Sequence, residues 1–333
     1  MDEARNAMHD LMMGATKSYI TYTVAKLDIV DYLSEKPMTA EELAIITSTK
    51  KDILYRLLRA AVEIGLVVEN EVKQFLVTDL GSTLKTGGKY SMKNMVMFRS
   101  VLTPHPASKL PELLKAERNG FNHKKSFFEM AETQPEVRKY LHGSITEYNE
   151  RIYTDLLISG YDYSKYKHII DVGGGSGTFL IDILTKTPSS CGKILDLPSI
   201  IESAKKRIEK STVNERCTAE VADFFTSVPD DGDCYILKFI LHDWNDVNAL
   251  KILRTIRKSM KNGSKLLVME LIKSDGNDAH AIDVLDIWMF SLFLGKERTK
   301  SEFEQLFETA SLKIENVVEI SPCPVKIIEV NIA

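Results

Sequence analysis

The sequence predicts an α/β protein: a parallel sheet flanked by helices, preceded by a smaller helical module. From about residue 165, short apolar runs alternate with helical segments, whereas before residue 105 apolar residues recur at three- and four-residue steps. A third observation narrows where a ligand would bind. The run HIIDV, residues 168–172, passes directly into GGGSG, residues 173–177, so a bare backbone follows a buried strand.

Composition limits the class. With 333 residues, 44% apolar and 27% charged, the chain is globular in character and long enough for two cores. A formal net charge of −4 argues against a general polyanion partner. Cys191, Cys217, Cys234 and Cys323 show no CxxC spacing, so neither a disulfide framework nor a zinc site is expected, and a reducing cytoplasm is the default location. No apolar run reaches the roughly 18 residues of a membrane span, and the acidic start MDE does not resemble a signal peptide.

Residues 1–105 form the first predicted domain. Ile20, Val24, Leu27, Val30 and Leu33 make one apolar stripe over residues 14–34, while Met8, Met12 and Met13 suit packing against another subunit or the second domain. Thr39 and Glu42 have capping-box spacing. A helix then places Ile53, Leu57, Leu58, Ala61 and Ile64 inward and stops at Gly65, and a hairpin turns near Asn70. Three helices and a hairpin describe a winged helix, which raises DNA binding as a rival function. Charge opposes it: residues 1–100 hold 13 Lys plus Arg against 13 Asp plus Glu, and the wing carries Glu69 and Glu71. Residues 106–160 read as helices around Gly120, a connector able to roof a pocket.

The second domain, 161–333, is where ligands are expected, since α/β sheets bind them at the carboxyl ends of their strands. Asp171, Gly173 and Gly175 stand at the first such end, but the pattern is GxGxG rather than the GxGxxG of dinucleotide loops. Asp196 and Leu197 end the next strand, where an acid can accept both hydroxyls of a ribose or merely cap the following helix. Asp223 and Phe224 are read as the end of the third strand, an acid to meet an amino group and a ring to lie against a base. Lys238 ends the fourth, with His242 four residues on. A lone histidine is more often structural than catalytic.

Together DVGGGSG, LDLP, ADFF, LHDWND and GKERT, in this order and spacing, resemble the S-adenosylmethionine-dependent small-molecule O-methyltransferases, the family of caffeate, hydroxyindole and bacterial antibiotic O-methyltransferases. The resemblance spans nearly the whole chain. It implies a Rossmann-like class I methyltransferase domain behind an N-terminal all-helical or winged-helix dimerisation domain, hence a homodimer with no nucleic-acid or membrane partner. It implies S-adenosyl-L-methionine as cofactor, S-adenosyl-L-homocysteine as product, and no metal. Gly173 and its neighbours would lie along the methionine part, Asp196 at the ribose, Asp223 and Phe224 at the adenine, and Lys238 nearby. His242 matches the family's catalytic base, and Glu270 and Glu297 match the two acids that flank it.

The implied chemistry is consistent with those residue types. Methyl transfer is an in-line displacement, so alignment supplies much of the acceleration. A phenol with a pKa near 10 attacks poorly until a base takes its proton. Trp288, Met289, Asp243, Ile145 and Tyr148 are candidates for an aromatic acceptor's pocket, with Met92, Met95, Met97 and His142 as further candidates. Each of the apolar ones would serve equally as core. Many family members place an apolar Met where this chain has Ser144 and Ile145, which leaves the acceptor open. Beside the O-methyltransferase reading stand a cofactor-retaining protein with hydroxylating or pericyclic chemistry and the winged-helix regulator.

Overall fold

The computed structural model describes residues 2–102, 104–116, 127, 131, 133–147, 153–276 and 281–333. The chain divides into two units, residues 1–105 with 128–152 and residues 106–127 with 153–333. By that division residues 106–127 are counted with the second unit and 128–152 with the first.

In the first unit the stripe predicted over residues 14–34 is split between helices Asp2–Lys26 and Ile29–Leu33. Asp28 breaks it with a φ of 54°, a left-handed conformation that Asp tolerates better than most residues. Strand β1, Met38–Thr39, leads into helix Ala40–Ile46, and Thr39 and Glu42 close a reciprocal capping box. Helix Lys51–Ile64 ends at Gly65, whose φ is 87°. Its buried residues are Leu54, Leu58 and Ala61, whereas Ile53, predicted inward, is exposed. The inward face is thus rotated from the one read off the sequence. Strands β2, Val67–Glu69, and β3, Gln74–Val77, complete an antiparallel sheet in the order β1-β3-β2. Helices Lys93–Val101 and Pro135–Glu147 are fastened by the buried Glu147, which accepts from Ser91 Oγ at 3.0 Å, Asn94 N at 2.7 Å and Asn94 Nδ2 at 2.8 Å.

The second unit is built on seven strands: β4 His168–Val172, β5 Cys191–Asp196, β6 Cys217–Val221, β7 Cys234–Lys238, β8 Lys265–Glu270, β11 Leu312–Val318 and β12 Lys326–Ile332. Their order is β11-β12-β8-β7-β4-β5-β6. The pleat sends alternate side chains to two cores. Ile169, Ile236, Leu267 and Met269 pack with helices Thr178–Lys186 and Pro198–Glu209. Ile170, Tyr235, Leu237, Leu266 and Val268 pack with helices Asp246–Ser259 and Lys300–Thr309. The sheet is mixed: the alternating region supplies the parallel strands β6-β5-β4-β7-β8, and the C-terminal strands add an antiparallel pair. Strand β12 returns from β11 through a short connection and runs antiparallel to both neighbours, since a parallel pair would require a long crossover.

Two short strands matter most for the site. Strand β9, Ile272–Lys273, begins two residues after Glu270 and pairs in parallel with β10, Arg298–Thr299, which begins one residue after Glu297. The register Ile272↔Arg298 brings two acids distant in sequence to one place.

Candidate active site

The carboxyl ends of β4 and β5 are joined by the glycine loop. The N–H groups of Gly173 and Gly174 donate to the Leu195 carbonyl at 2.8 and 3.2 Å, and that of Gly175 donates to Asp196 Oδ2 at 2.8 Å. Gly173, Gly175 and Gly177 have φ values of 75°, 60° and 81°, which only glycine adopts freely. A Cβ on Gly173 would stand 2.5 Å from Ile240 Cδ1 and 3.7 Å from Phe224 Cε1, so Phe224 lies close against the loop. Asp196 Oδ1 accepts from the Leu197 N–H at 2.7 Å. Burial pushes the Asp196 carboxyl up, against the two backbone donors. Asp171 is buried on β4 beneath Gly174, and Leu197 is exposed.

Asp223 and Phe224 do not end β6, which stops at Val221. Asp223 instead caps a turn, accepting from the Phe225 N–H and from Thr226 Oγ1, each at 2.9 Å. The Lys238 ammonium, at the end of β7, lies 5.2 Å from the Phe179 ring centre and 5.3 Å from that of Phe239.

Beyond Lys238, Phe239 takes a φ of 55° and the chain makes a short 3-10 turn, Leu241–Asp243. Glu270, fully buried, holds that turn. Its Oε1 accepts from the N–H groups of Ile240 at 3.1 Å, Leu241 at 2.9 Å and His242 at 3.4 Å. His242 Nδ1 lies 2.8 Å from Glu297 Oε1 and 3.8 Å from Glu270 Oε2, and its Nε2 lies 3.6 Å from Asp243 Oδ1. Among the described residues, Glu270 Oε2 and Glu297 Oε2 are buried with no hydrogen-bond partner.

Three acids thus surround one imidazole. Burial alone would lower the His242 pKa, but the charges of Glu270, Glu297 and Asp243 and the hydrogen bond that Nδ1–H donates to Glu297 raise it to about 10. Burial pushes Glu270 up to about 7 and Asp243 up to about 6, both against the pull of His242. The ligating atoms of His242, Glu270 and Glu297 lie within 4.8 Å of one another, a spread that could gather a cation. The Nδ1 to Oε1 separation of 2.8 Å is nonetheless that of a hydrogen bond.

The pocket candidates divide. Asp243 stands at the imidazole. Trp288 is half-buried and Met289 buried on helix Ala281–Phe293, in the same unit. Ile145, Ser144, His142 and the three methionines belong to the other unit, where Met97 is part of the core. Tyr148 lies outside the described residues. Sequence reasoning passed over Asp286, which accepts the Glu297 N–H at 2.9 Å and pairs with Lys273 at 2.8 Å, and over Gly295 and Arg298. The last two flank Glu297 within GKERT, and their proximity in sequence was the available signal.

A seven-stranded sheet of this order, with a glycine loop after β4 and an acid at the end of β5, defines the class I methyltransferase fold. An O-methyltransferase domain model matches residues 108–313, and an O-methyltransferase dimerisation domain model matches residues 9–87. The chain belongs to the S-adenosylmethionine-dependent O-methyltransferase family. It is 32% identical over 299 residues to a phenazine O-methyltransferase, PhzM, of Lysobacter antibioticus, covering 89% of this chain and 87% of that one. Its fold matches the crystal structure of LaPhzM with a TM-score of 0.93, at 30% identity over 99% of both chains. It also matches NcsB1, an O-methyltransferase from neocarzinostatin biosynthesis solved with S-adenosylmethionine and 2-hydroxy-5-methyl naphthoic acid. There the TM-score is 0.82 and the identity 26%, over 95% of this chain and 96% of that one.

Proposed function

We propose that this enzyme transfers a methyl group from S-adenosyl-L-methionine to a hydroxyl, phenolic or enolic, of a small aromatic or polyketide-like secondary metabolite, with His242 as general base. The observation that carries this reading is the His242 to Glu297 pair, 2.8 Å apart, on the sheet edge that also bears the glycine loop and Asp196. The residues at that edge fit the cofactor. Asp196 keeps lone pairs beyond its two backbone donors for ribose hydroxyls, Phe224 offers a flat apolar face beside the loop, and the glycines leave backbone bare for the methionine part.

When bound, S-adenosylmethionine supplies a methyl group on a positively charged sulfur, which leaves as S-adenosyl-L-homocysteine; a neutral leaving group of this kind needs no metal. The chain's own residues manage the acceptor's proton. Glu297 occupies Nδ1, which leaves Nε2 of His242 to take the hydroxyl proton. Glu297 holds the ring and stabilises the imidazolium formed, the role of the acid in a catalytic triad. Glu270 holds the turn beneath the ring, and Asp243 adds negative charge beside Nε2.

The 9–87 match supports a homodimer. All four cysteines are free, in keeping with a reducing cytoplasm, and no described helix is long and apolar enough to cross a membrane. Glu69 in the wing is engaged by Arg59 at 2.7 Å, which does not favour a nucleic-acid surface.

The test is transfer of labelled methyl to a panel of hydroxylated, amino and thiol aromatics, with cofactor binding followed by calorimetry and chelator present. His242→Ala should retain cofactor affinity and lose turnover, whereas Asp196→Ala should lose affinity. Cofactor binding with transfer to no acceptor class would replace this reading by that of a cofactor-retaining protein with other chemistry.

A further inference from the structure

Arg298 is fully buried, although a charged side chain is costly to remove from water unless its donors are satisfied. A guanidinium has three nitrogens that donate, and in Arg298 each of them finds an acceptor. Nε and Nη2 both reach Asp246 Oδ1 at 2.9 Å. Nη2 also donates to the Trp244 carbonyl at 2.7 Å, and Nη1 donates to the carbonyls of Leu241 at 2.8 Å and Lys296 at 3.3 Å. Leu241 and Trp244 bracket His242 and Asp243, and Lys296 immediately precedes Glu297. One planar cation therefore holds both the turn that carries the imidazole and the loop that carries its carboxylate partner.

The same seam is closed a second way. The Lys296 N–H donates to the His242 carbonyl at 2.9 Å, and a side chain on Gly295 would collide with that carbonyl. Asp246, the one carboxylate on Arg298 among the described residues, is itself more than half exposed and does not account for the burial of the whole guanidinium. Three of its four acceptors are backbone carbonyls at the site.

We propose that Arg298 is a positioning residue that fastens the turn Leu241–Trp244 to the loop at Lys296 and so keeps the His242 Nδ1 to Glu297 Oε1 hydrogen bond closed. The proposal rests on the reading of His242 as base only for its effect on turnover. The hydrogen bond can be followed without any substrate. In protein labelled with 15N-histidine, the Nδ1 proton of His242 should resonate far downfield and exchange slowly with water, the signal being assigned by its loss in His242→Gln.

Lysine offers donors from a single point and cannot span these acceptors, so Arg298→Lys should speed exchange of that proton about tenfold or abolish its signal. Turnover should fall on the order of 100-fold with KM and cofactor affinity held within about twofold, as misplacement of a reacting group does. Asp246→Asn keeps the guanidinium and its backbone acceptors and should move the signal less, in the same direction. An unchanged Nδ1 signal in Arg298→Lys overturns the proposal, and should that variant not fold, an unchanged signal in Asp246→Asn does so. A disturbed signal with wild-type turnover leaves Arg298 as the clasp and removes His242 from the role of base.

Discussion

At the scale of single residues, the pairing of His242 with three acids sets a pH dependence. An imidazole raised to about 10 is largely protonated at neutral pH, and a base acts only in its neutral form. The turnover of the free enzyme, read as kcat/KM, should therefore climb on the alkaline side of pH 7, well above the range of an ordinary histidine. Any cation bound on the same sheet edge will lower that limb. Glu297→Gln removes one of the carboxylates that raise His242, so the limb should move to lower pH while the maximum rate falls. A limb left in place by that substitution would show that another group titrates. The sequence made His242, Glu270 and Glu297 visible through their motifs but not their division of labour. Glu270 spends one oxygen on three backbone N–H groups, and this is a matter of distances within 3.4 Å rather than of residue type.

At the scale of elements, the glycine loop and the β9 to β10 ladder place the groups. The loop follows from strand pattern and glycine content, both local, and was legible. Gly173→Ala would force a non-glycine residue to a φ of 75° at about 1–2 kcal/mol and set a methyl against Ile240. Its cofactor affinity should fall about tenfold or more, the equivalent of roughly 1.4 kcal/mol. Gly263→Ala is the control: its φ is 90°, but nothing lies within 4 Å of an added methyl, and the turn stands before β8, away from the loop. It should cost similar stability and leave calorimetric cofactor binding unchanged. Equal loss of binding in both would mean that the loop contributes only through stability. The β9 to β10 ladder was not legible, because two-residue strands have no measurable periodicity.

At the scale of the whole molecule, the first unit presents Met8, Leu11 and Met12 to solvent on helix Asp2–Lys26, and the matched dimerisation domain begins at residue 9. Exposed apolar side chains grouped in this way suit a protein contact. Light scattering should return twice the mass of one chain for the native protein, and the double substitution Leu11→Glu with Met12→Glu should halve it. A native monomer, or a dimer unmoved by both charges, would place any self-association elsewhere.

By itself the sequence determined the α/β alternation, the capping box at Thr39, the stop at Gly65 and the strand ends at Asp196 and Lys238, because each depends on neighbours within a few positions. Only the tertiary structure decided that Asp28 splits the first stripe, that β12 runs antiparallel, that Asp223 caps a turn, and that residues 106–127 and 128–152 belong to different units. It also decided that Arg298 is buried with a hydrogen bond from each of its three nitrogens. Periodicity tells a side chain which face to take, but not which distant segment will meet it. Bringing Glu297 to His242 requires two strands to pair across 24 residues of intervening sequence, and that register is a property of the packed chain.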